Sequence, residues 1–217
     1  MTRHSPILIT AGPAYEPIDQ VRRLSNFSTG TLGCTLAGLL TRKGFDVTLL
    51  LSEAASYRGE IEASRILGFS TNDSLAKILQ ELGSGHSWHG VLHAAALADF
   101  RVDKVLDDRD QPLENLKIPS SAPELRIILK PAPKVIRQLR THFPTARIAG
   151  WKYELDGTRQ TALRKGWSQI EDCKTDACIV NGAAYGDGYA FCPCRDQAVH
   201  LNNPEELAEH LSLWLKE

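Results

Sequence analysis

The chain has 217 residues, with 25 Lys and Arg against 26 Asp and Glu and a formal net charge of −1. Such a chain carries no global field to recruit nucleic acid or an anionic membrane, so an anionic ligand must be held by locally placed cations. Hydrophobic residues make up 42%, enough for a packed core, yet no apolar run approaches the roughly 20 residues of a membrane span.

The first strand is expected at "PILITA", a short apolar run close to the N-terminus. No signal sequence is visible before it, and the five cysteines have no framework spacing. They read as reduced thiols, and a cytoplasmic location is expected. Cys34, Cys173 and Cys178 read as small buried residues. Cys192-Pro193-Cys194 reads as two thiols on a turn, because a lone C-x-C is weak for zinc. No metal site made of protein ligands is expected.

A polar loop follows to Thr29. "GTLGCTLAGLLTRKG" then carries Leu32, Leu36, Leu39 and Leu40 on one helical face and stops at a basic pair and a glycine. "DVTLLLS" is the second strand and "RILGFS" the third. "TNDSLAKILQELG" opens with capping residues and predicts a helix. "GVLHAAA" is the fourth strand. This alternation predicts an α/β fold: one three-layer, Rossmann-like, mostly parallel sheet with helices on both faces.

Residues 98–133 break the rhythm with charges, prolines and a lone strand at "ELRIIL". They read as an excursion, a hairpin or flap over the C-terminal sheet edge. "APKVIRQLRTHF" predicts a helix, "ARIAGWKYE" a strand, "GTRQTALRKGWSQIEDCK" a helix and "DACIVN" a buried strand. "YAFCPCRDQAVHL" predicts a hairpin, and "NPEELAEHLSLWLKE" a closing helix capped by Asn203. With no repeat or linker, residues 1–217 read as one domain.

Ligands of open parallel sheets bind beyond the carboxyl ends of the strands. Four such ends carry unusual residues: 12–30, "AAALADF", "WKYELD" and "NGAAYGDG". Asn26, Ala95, Asp99, Trp151 and Asn181 are therefore expected around one crevice. The first loop is not a glycine-rich phosphate loop. It offers "RRLSNFSTGTLG", with arginines, an asparagine and amides near a helix N-terminus.

"ITAGPAYEPIDQVRRLSNFSTGTLG", "HAAALADF", "KIPSS", "GWKYELD" and "DACIVNGAAYGDGYAF", in this order, resemble the phosphopantothenoylcysteine synthetase family of coenzyme A biosynthesis. The likeness runs from about Ile7 to His200. It implies a ligase that joins 4′-phosphopantothenate to cysteine. A nucleoside triphosphate, CTP or ATP, with Mg²⁺, first gives an acyl-nucleotidylate and pyrophosphate, and the cysteine amine then displaces the nucleotide. A homodimer is expected, with residues 98–133 contributing to the contact, because their prolines and lone strand fit an arm better than a core element; the resemblance points the same way.

Carried over residue by residue, the resemblance makes Lys117 the cation for the charge of nucleotidyl transfer. Asn26 holds the acyl carbonyl during amine attack. Arg22 reaches the substrate phosphate with its planar fork, while Arg23 points to solvent. Ala95, Ala96 and Asp99 wall the substrate. Gly12, Ser28, Gly30, Trp151 and Asn181 face the nucleotide, with Trp151 in the place of the family's usual phenylalanine. Two departures stand out. Ala11-Gly12-Pro13 replaces Gly-Gly-Thr, so an amide donor is lost. Pro119 and Ser120 stand where further lysines are usual. Two rivals stay open: a non-catalytic paralogue that keeps the pocket, and an NAD(P)-linked oxidoreductase. The second lacks the G-x-G-x-x-G of a dinucleotide site.

Overall fold

The computed structural model describes residues 5–85, 87–113, 117–119 and 123–217. Its strands and helices are β1 (Pro6–Ala11), β2 (Tyr15–Pro17), β3 (Arg23–Ser25), α1 (Thr31–Arg42), β4 (Asp46–Ser52), β5 (Arg65–Phe69), α2 (Asn72–Gly85) and β6 (Gly90–His93). There follow β7 (Phe100–Leu106), β8 (Arg126–Pro131), α3 (Ile136–His142), β9 (Arg147–Tyr153), α4 (Arg159–Cys173), β10 (Ala177–Asn181), β11 (Tyr189–Cys192), β12 (Val199–Leu201) and α5 (Pro204–Lys216).

Eight strands form one sheet in the order β12-β11-β10-β9-β6-β1-β4-β5. The six from β10 to β5 run parallel, and β11 and β12 close one edge as an antiparallel hairpin. The chain steps outward from β1 to β4 and β5, then returns to β6 on the other side of β1. The strand order therefore reverses between β1 and β6, the place where such sheets open a crevice.

Alternation along β1 assigns the two faces. Ile7 and Ile9 pack with Leu36 and Leu40 of α1 and with Leu211 and Trp214 of α5. Leu8, between them, packs with Leu75 and Leu79 of α2 and Leu139 of α3. The period of two in a strand against the 3.6 of the helices puts an apolar stripe on each layer. At β10, Cys178 and Val180 pack with Ala162 and Trp167 of α4. Helix α1 seats very close to β1: a Cβ on Gly33 would stand 2.4 Å from that of Ala11. Thr158 and Asn203 cap α4 and α5 through their side chains. Four of the five thiols are buried and Cys194 is exposed. Among the described residues no helix is long and apolar enough to cross a membrane.

Three expectations need correction. The first loop is not all loop, because Tyr15–Pro17 and Arg23–Ser25 pair as an antiparallel ribbon. The strand predicted over "GVLHAAA" stops at His93, since the chain beyond it turns to bond the Gly12 segment. The excursion holds two strands: β7 pairs along its length with β8, with one bulge. β8 is the strand expected at "ELRIIL"; β7, FRVDKVL, alternates charged and apolar residues and shows no continuous apolar run.

Candidate functional site

Residues 94–98 are the anvil of the site, fixed from three directions. The first is β1. Ala96 donates its N–H to the Gly12 carbonyl at 3.0 Å, and its own carbonyl accepts from Ala14 N at 3.0 Å. Pro13 sits between these two partners and its missing N–H is not asked for. Gly12 has φ 87°, and a Cβ there would meet Ser52 Cβ at 2.9 Å, so the position demands glycine.

The second direction is the first loop. Asn26 Nδ2 donates to the carbonyls of Ala96 at 3.3 Å and Leu97 at 3.1 Å. Both partners are acceptors, which fixes the amide nitrogen on that side and turns Oδ1 away. The third direction is α2. Asn72, 3% exposed, accepts from Ala98 N at 3.1 Å and donates to Ala98 O at 2.8 Å.

Beneath this segment Thr10 Oγ1 accepts from Ala95 N at 3.1 Å and meets His93 Nδ1 at 2.9 Å. The hydroxyl can serve as donor or acceptor toward the ring nitrogen. Burial favours the neutral imidazole and pushes His93 down to about 4. Asp99 follows on the surface and forms an ion pair with Lys134.

Lys117 is exposed, but its neighbour is held. Ile118 N donates to Asp19 Oδ2 at 3.1 Å, and Arg22 Nη2 donates to the Ile118 carbonyl at 2.5 Å. Arg22 also bonds Asp19 through Nε at 3.1 Å and Nη2 at 2.7 Å. The Asp19 side chain is 1% exposed. Burial alone would raise its pKa. Hydrogen bonds from Ile118, Val21 and Arg22 outweigh that and hold the carboxyl well below the ordinary carboxylate range. The "KIP" stretch is thus tied to the first loop about a hundred positions earlier. Ser120 lies outside the described residues. Arg22, expected on a substrate phosphate, spends Nε and Nη2 inside its own chain. Arg23 is exposed as expected, yet its guanidinium lies over the Tyr15 ring at 4.6 Å.

Gly30 caps α1 with φ 82° and no side-chain bond. Thr29 Oγ1 meets Thr31 Oγ1 at 2.7 Å, and Ser28 is half-buried just before them. Trp151 packs partly against the core of the α1 face, and its Nε1 is buried without a hydrogen bond among the described residues. The same holds for Asn181 Oδ1. Trp151 pairs in register with Ile179, so Trp151 and Asn181 share that face at adjoining strand ends. The loop beyond Asn181 is anchored by Tyr185, whose hydroxyl meets Arg159 and His200, each at 2.8 Å.

A pocket opens at the carboxyl ends of β6 and β9. Ala95, Asp99 and Trp151, expected from the sequence, line it together with His93, Asn72, Lys134, Lys152 and Gln169. The last five were not foreseen. The "WKYELD" stretch contained Lys152, but nothing in one sequence told its lysine from a solvated one. Ala96 and Asn26 adjoin this wall through the bonds above. Lys117 and Arg22 lie on the latch at the first loop, and Gly12 and Gly30 at the foot of α1. Among the described residues no cluster of three or more His, Cys, Asp or Glu could hold a metal ion by itself.

The family of the DNA/pantothenate metabolism flavoprotein C-terminal domain matches residues 2–216. The chain belongs to this family. A coenzyme A biosynthesis bifunctional protein CoaBC of Thermococcus kodakarensis is 29% identical over 178 residues, 81% of this chain and 40% of that protein. One of Vibrio vulnificus is 30% identical over 213 residues, 93% of this chain and 49% of that one. The chain thus spans less than half the length of these curated relatives. The solved DNA/pantothenate metabolism flavoprotein of Streptococcus pneumoniae has the same fold, with a TM-score of 0.84 at 24% identity, covering 98% of each chain. So has a Cab2 mutant solved with phosphopantothenate-cysteine, with a TM-score of 0.74 at 20% identity over 98% of this chain and 86% of that one.

Proposed function

We propose that this chain joins 4′-phosphopantothenate to cysteine, activating the acid with a nucleoside triphosphate, CTP or ATP. One observation carries the reading. Three segments remote in sequence meet at residues 96–98, namely the Gly12 turn, Asn26 and Asn72 at the start of α2, while Asp19 and Arg22 tie the neighbour of Lys117 to the same first loop that carries Asn26. The names of the CoaBC relatives support the activity, and the Cab2 complex supports the class of ligand. All 217 residues would act as one binding unit.

In the first step a carboxylate oxygen attacks the α-phosphorus and pyrophosphate leaves. Lys117 supplies a compact positive charge for the phosphoryl oxygens. In the second step the cysteine amine attacks the acyl carbon, and the nucleoside monophosphate leaves as the amine gives up a proton. Asn26 has both amide hydrogens committed to main-chain carbonyls. It would therefore act through Oδ1, accepting from the incoming amine rather than donating to the acyl oxygen. Gly12, Ser28, Gly30, Trp151 and Asn181 would face the nucleotide, and Ala95, Ala96, Asp99 and Arg22 the phosphopantothenate. A magnesium ion carried on the triphosphate needs only one or two protein carboxylates. Asp99, exposed at the pocket, fits that need, and the ion would neutralise phosphate charge.

We also propose that the chain works as a homodimer. Val21 and Phe27 in the first loop and Phe100, Ile128 and Leu129 on the β7–β8 hairpin are exposed. A two-stranded hairpin is marginal alone, and an apolar patch of this kind suits a partner surface. A second copy is the occupant proposed.

The test of the activity is pyrophosphate release with 4′-phosphopantothenate and either CTP or ATP, with and without cysteine. Release with one triphosphate, and amide formation on adding cysteine, is expected. No release with either would sink the synthetase reading in favour of a non-catalytic paralogue.

A further inference from the structure

Lys152 lines the pocket at the end of β9 and is half-buried. Its ammonium has no hydrogen bond and no ion pair among the described residues. The titratable groups it acts on include the thiols of Cys173 and Cys178. Burial raises both, the second strongly, so they stay neutral; the carboxylates that act on the same thiols are Asp172 and Glu154, the latter already paired with Lys165. A cation taken partly out of water without a counter-charge is costly, and such groups normally find one. Lysines nearby behave that way: Lys165 pairs with Glu154, and Lys134 with Asp99.

The second lysine of the same pocket is Lys134. Its pair with Asp99 is 54% and 68% exposed, and exposed pairs are weak and exchange freely. The pocket therefore offers one ammonium with no direct partner among the described residues and one that a stronger anion can claim. The third basic side chain, His93, is neutral and adds no charge. Asp99 is the one carboxylate in the lining.

We propose that Lys152 and Lys134 form a subsite for a phosphoryl anion in this pocket. It would offset the lysines missing after Lys117, where Pro119 and Ser120 stand. This inference rests on the synthetase reading, which brings two sources of such an anion: the polyphosphate of the nucleotide and the phosphate of phosphopantothenate. Compact ammonium groups suit either.

The experiment is isothermal titration of the wild-type chain, Lys152→Gln, Lys152→Arg and Lys134→Gln with inorganic pyrophosphate, CTP, ATP and 4′-phosphopantothenate. Lys152→Gln should weaken at least one of these about tenfold or more, and Lys152→Arg should restore most of the loss. Loss confined to pyrophosphate and a nucleotide assigns the polyphosphate; loss confined to phosphopantothenate assigns its phosphate. If wild type binds these ligands and both glutamine variants bind them equally well, the subsite does not exist. If wild type binds none of them, the synthetase reading falls and the subsite with it. Should Lys152→Gln fail to fold, the exposed Lys134→Gln decides, with an unchanged affinity overturning the proposal.

Discussion

Asn72 grips the peptide of Ala98 with both ends of its side-chain amide, Oδ1 on the N–H and Nδ2 on the carbonyl. The two bonds reach from the start of α2 to the residue before Asp99. Asn72→Ala removes both and leaves two main-chain groups short of partners. It should destabilise the fold by about 2–3 kcal/mol, read as a fall in the urea midpoint with an unchanged slope. A midpoint equal to that of wild type would mean that water replaces the clamp.

Lys117 and Asn26 should fail at different steps. Lys117→Gln should slow pyrophosphate release about 10²–10³-fold. Asn26→Asp should still form the acyl-nucleotidylate but pass it slowly to cysteine, so the intermediate accumulates in a quenched reaction followed by mass spectrometry. Aspartate offers an oxygen but cannot donate to both Ala96 and Leu97, so part of its defect should be a loosened anvil. Parent-rate turnover by Lys117→Gln would reduce the lysine to a solvated neighbour of the latch.

Acid should find His93 first. Its pKa is about 4 in the fold against an ordinary 6.5. Between these values the unfolded chain binds a proton that the folded chain refuses, so stability falls as pH falls through this window. The full effect is on the order of 3 kcal/mol. His93→Gln should make the fall of the unfolding free energy between pH 6.5 and 4 shallower, leaving the share of His210, which burial also lowers. The Asp19 latch should begin to contribute only at the lower end of this window, below about pH 5, where the unfolded carboxyl takes up a proton that the folded one refuses. An equally steep profile in His93→Gln would move the acid-sensitive group elsewhere.

Cutting the latch should free the stretch around Lys117 without unfolding the sheet. Asp19→Ala removes the acceptor shared by Ile118, Val21 and Arg22. Limited proteolysis should then nick the chain near Lys117 sooner than in wild type, while far-ultraviolet circular dichroism is unchanged. Equal cleavage rates would show that other contacts hold the stretch.

The parallel sheet was legible because buried strands and amphipathic helices write different periods, and "PILITA" and "DVTLLLS" leave no helical alternative. Ala95 and Asp99 were legible as residues past the end of β6, whereas Trp151, expected past a strand end, lies inside β9 and lines the pocket from there. What stayed hidden depends on pairing across long separations. Neither β7 nor the β2–β3 ribbon has an apolar run, and each exists only because its partner returns beside it. Nothing in one sequence set Asp19 apart, since its bond to Ile118 spans 99 positions. Asn72 looked like a helix cap, whereas its amide faces Ala98. Lys152 needed the pocket itself to be seen.

The unequal burial of the five thiols makes the chain a ready substrate for site-selective labelling. Burial pushes Cys192 up to about 12 and raises Cys178 well above the ordinary thiol value, and Cys34 and Cys173 are raised as well. A maleimide dye at neutral pH should therefore attach once per folded chain, at the exposed Cys194, with no cysteine removed beforehand. That single attachment point lies two residues beyond β11, on the antiparallel edge of the sheet. A fluorophore placed there on each of two chains would report their separation, and so whether two copies associate, without touching any residue of the pocket.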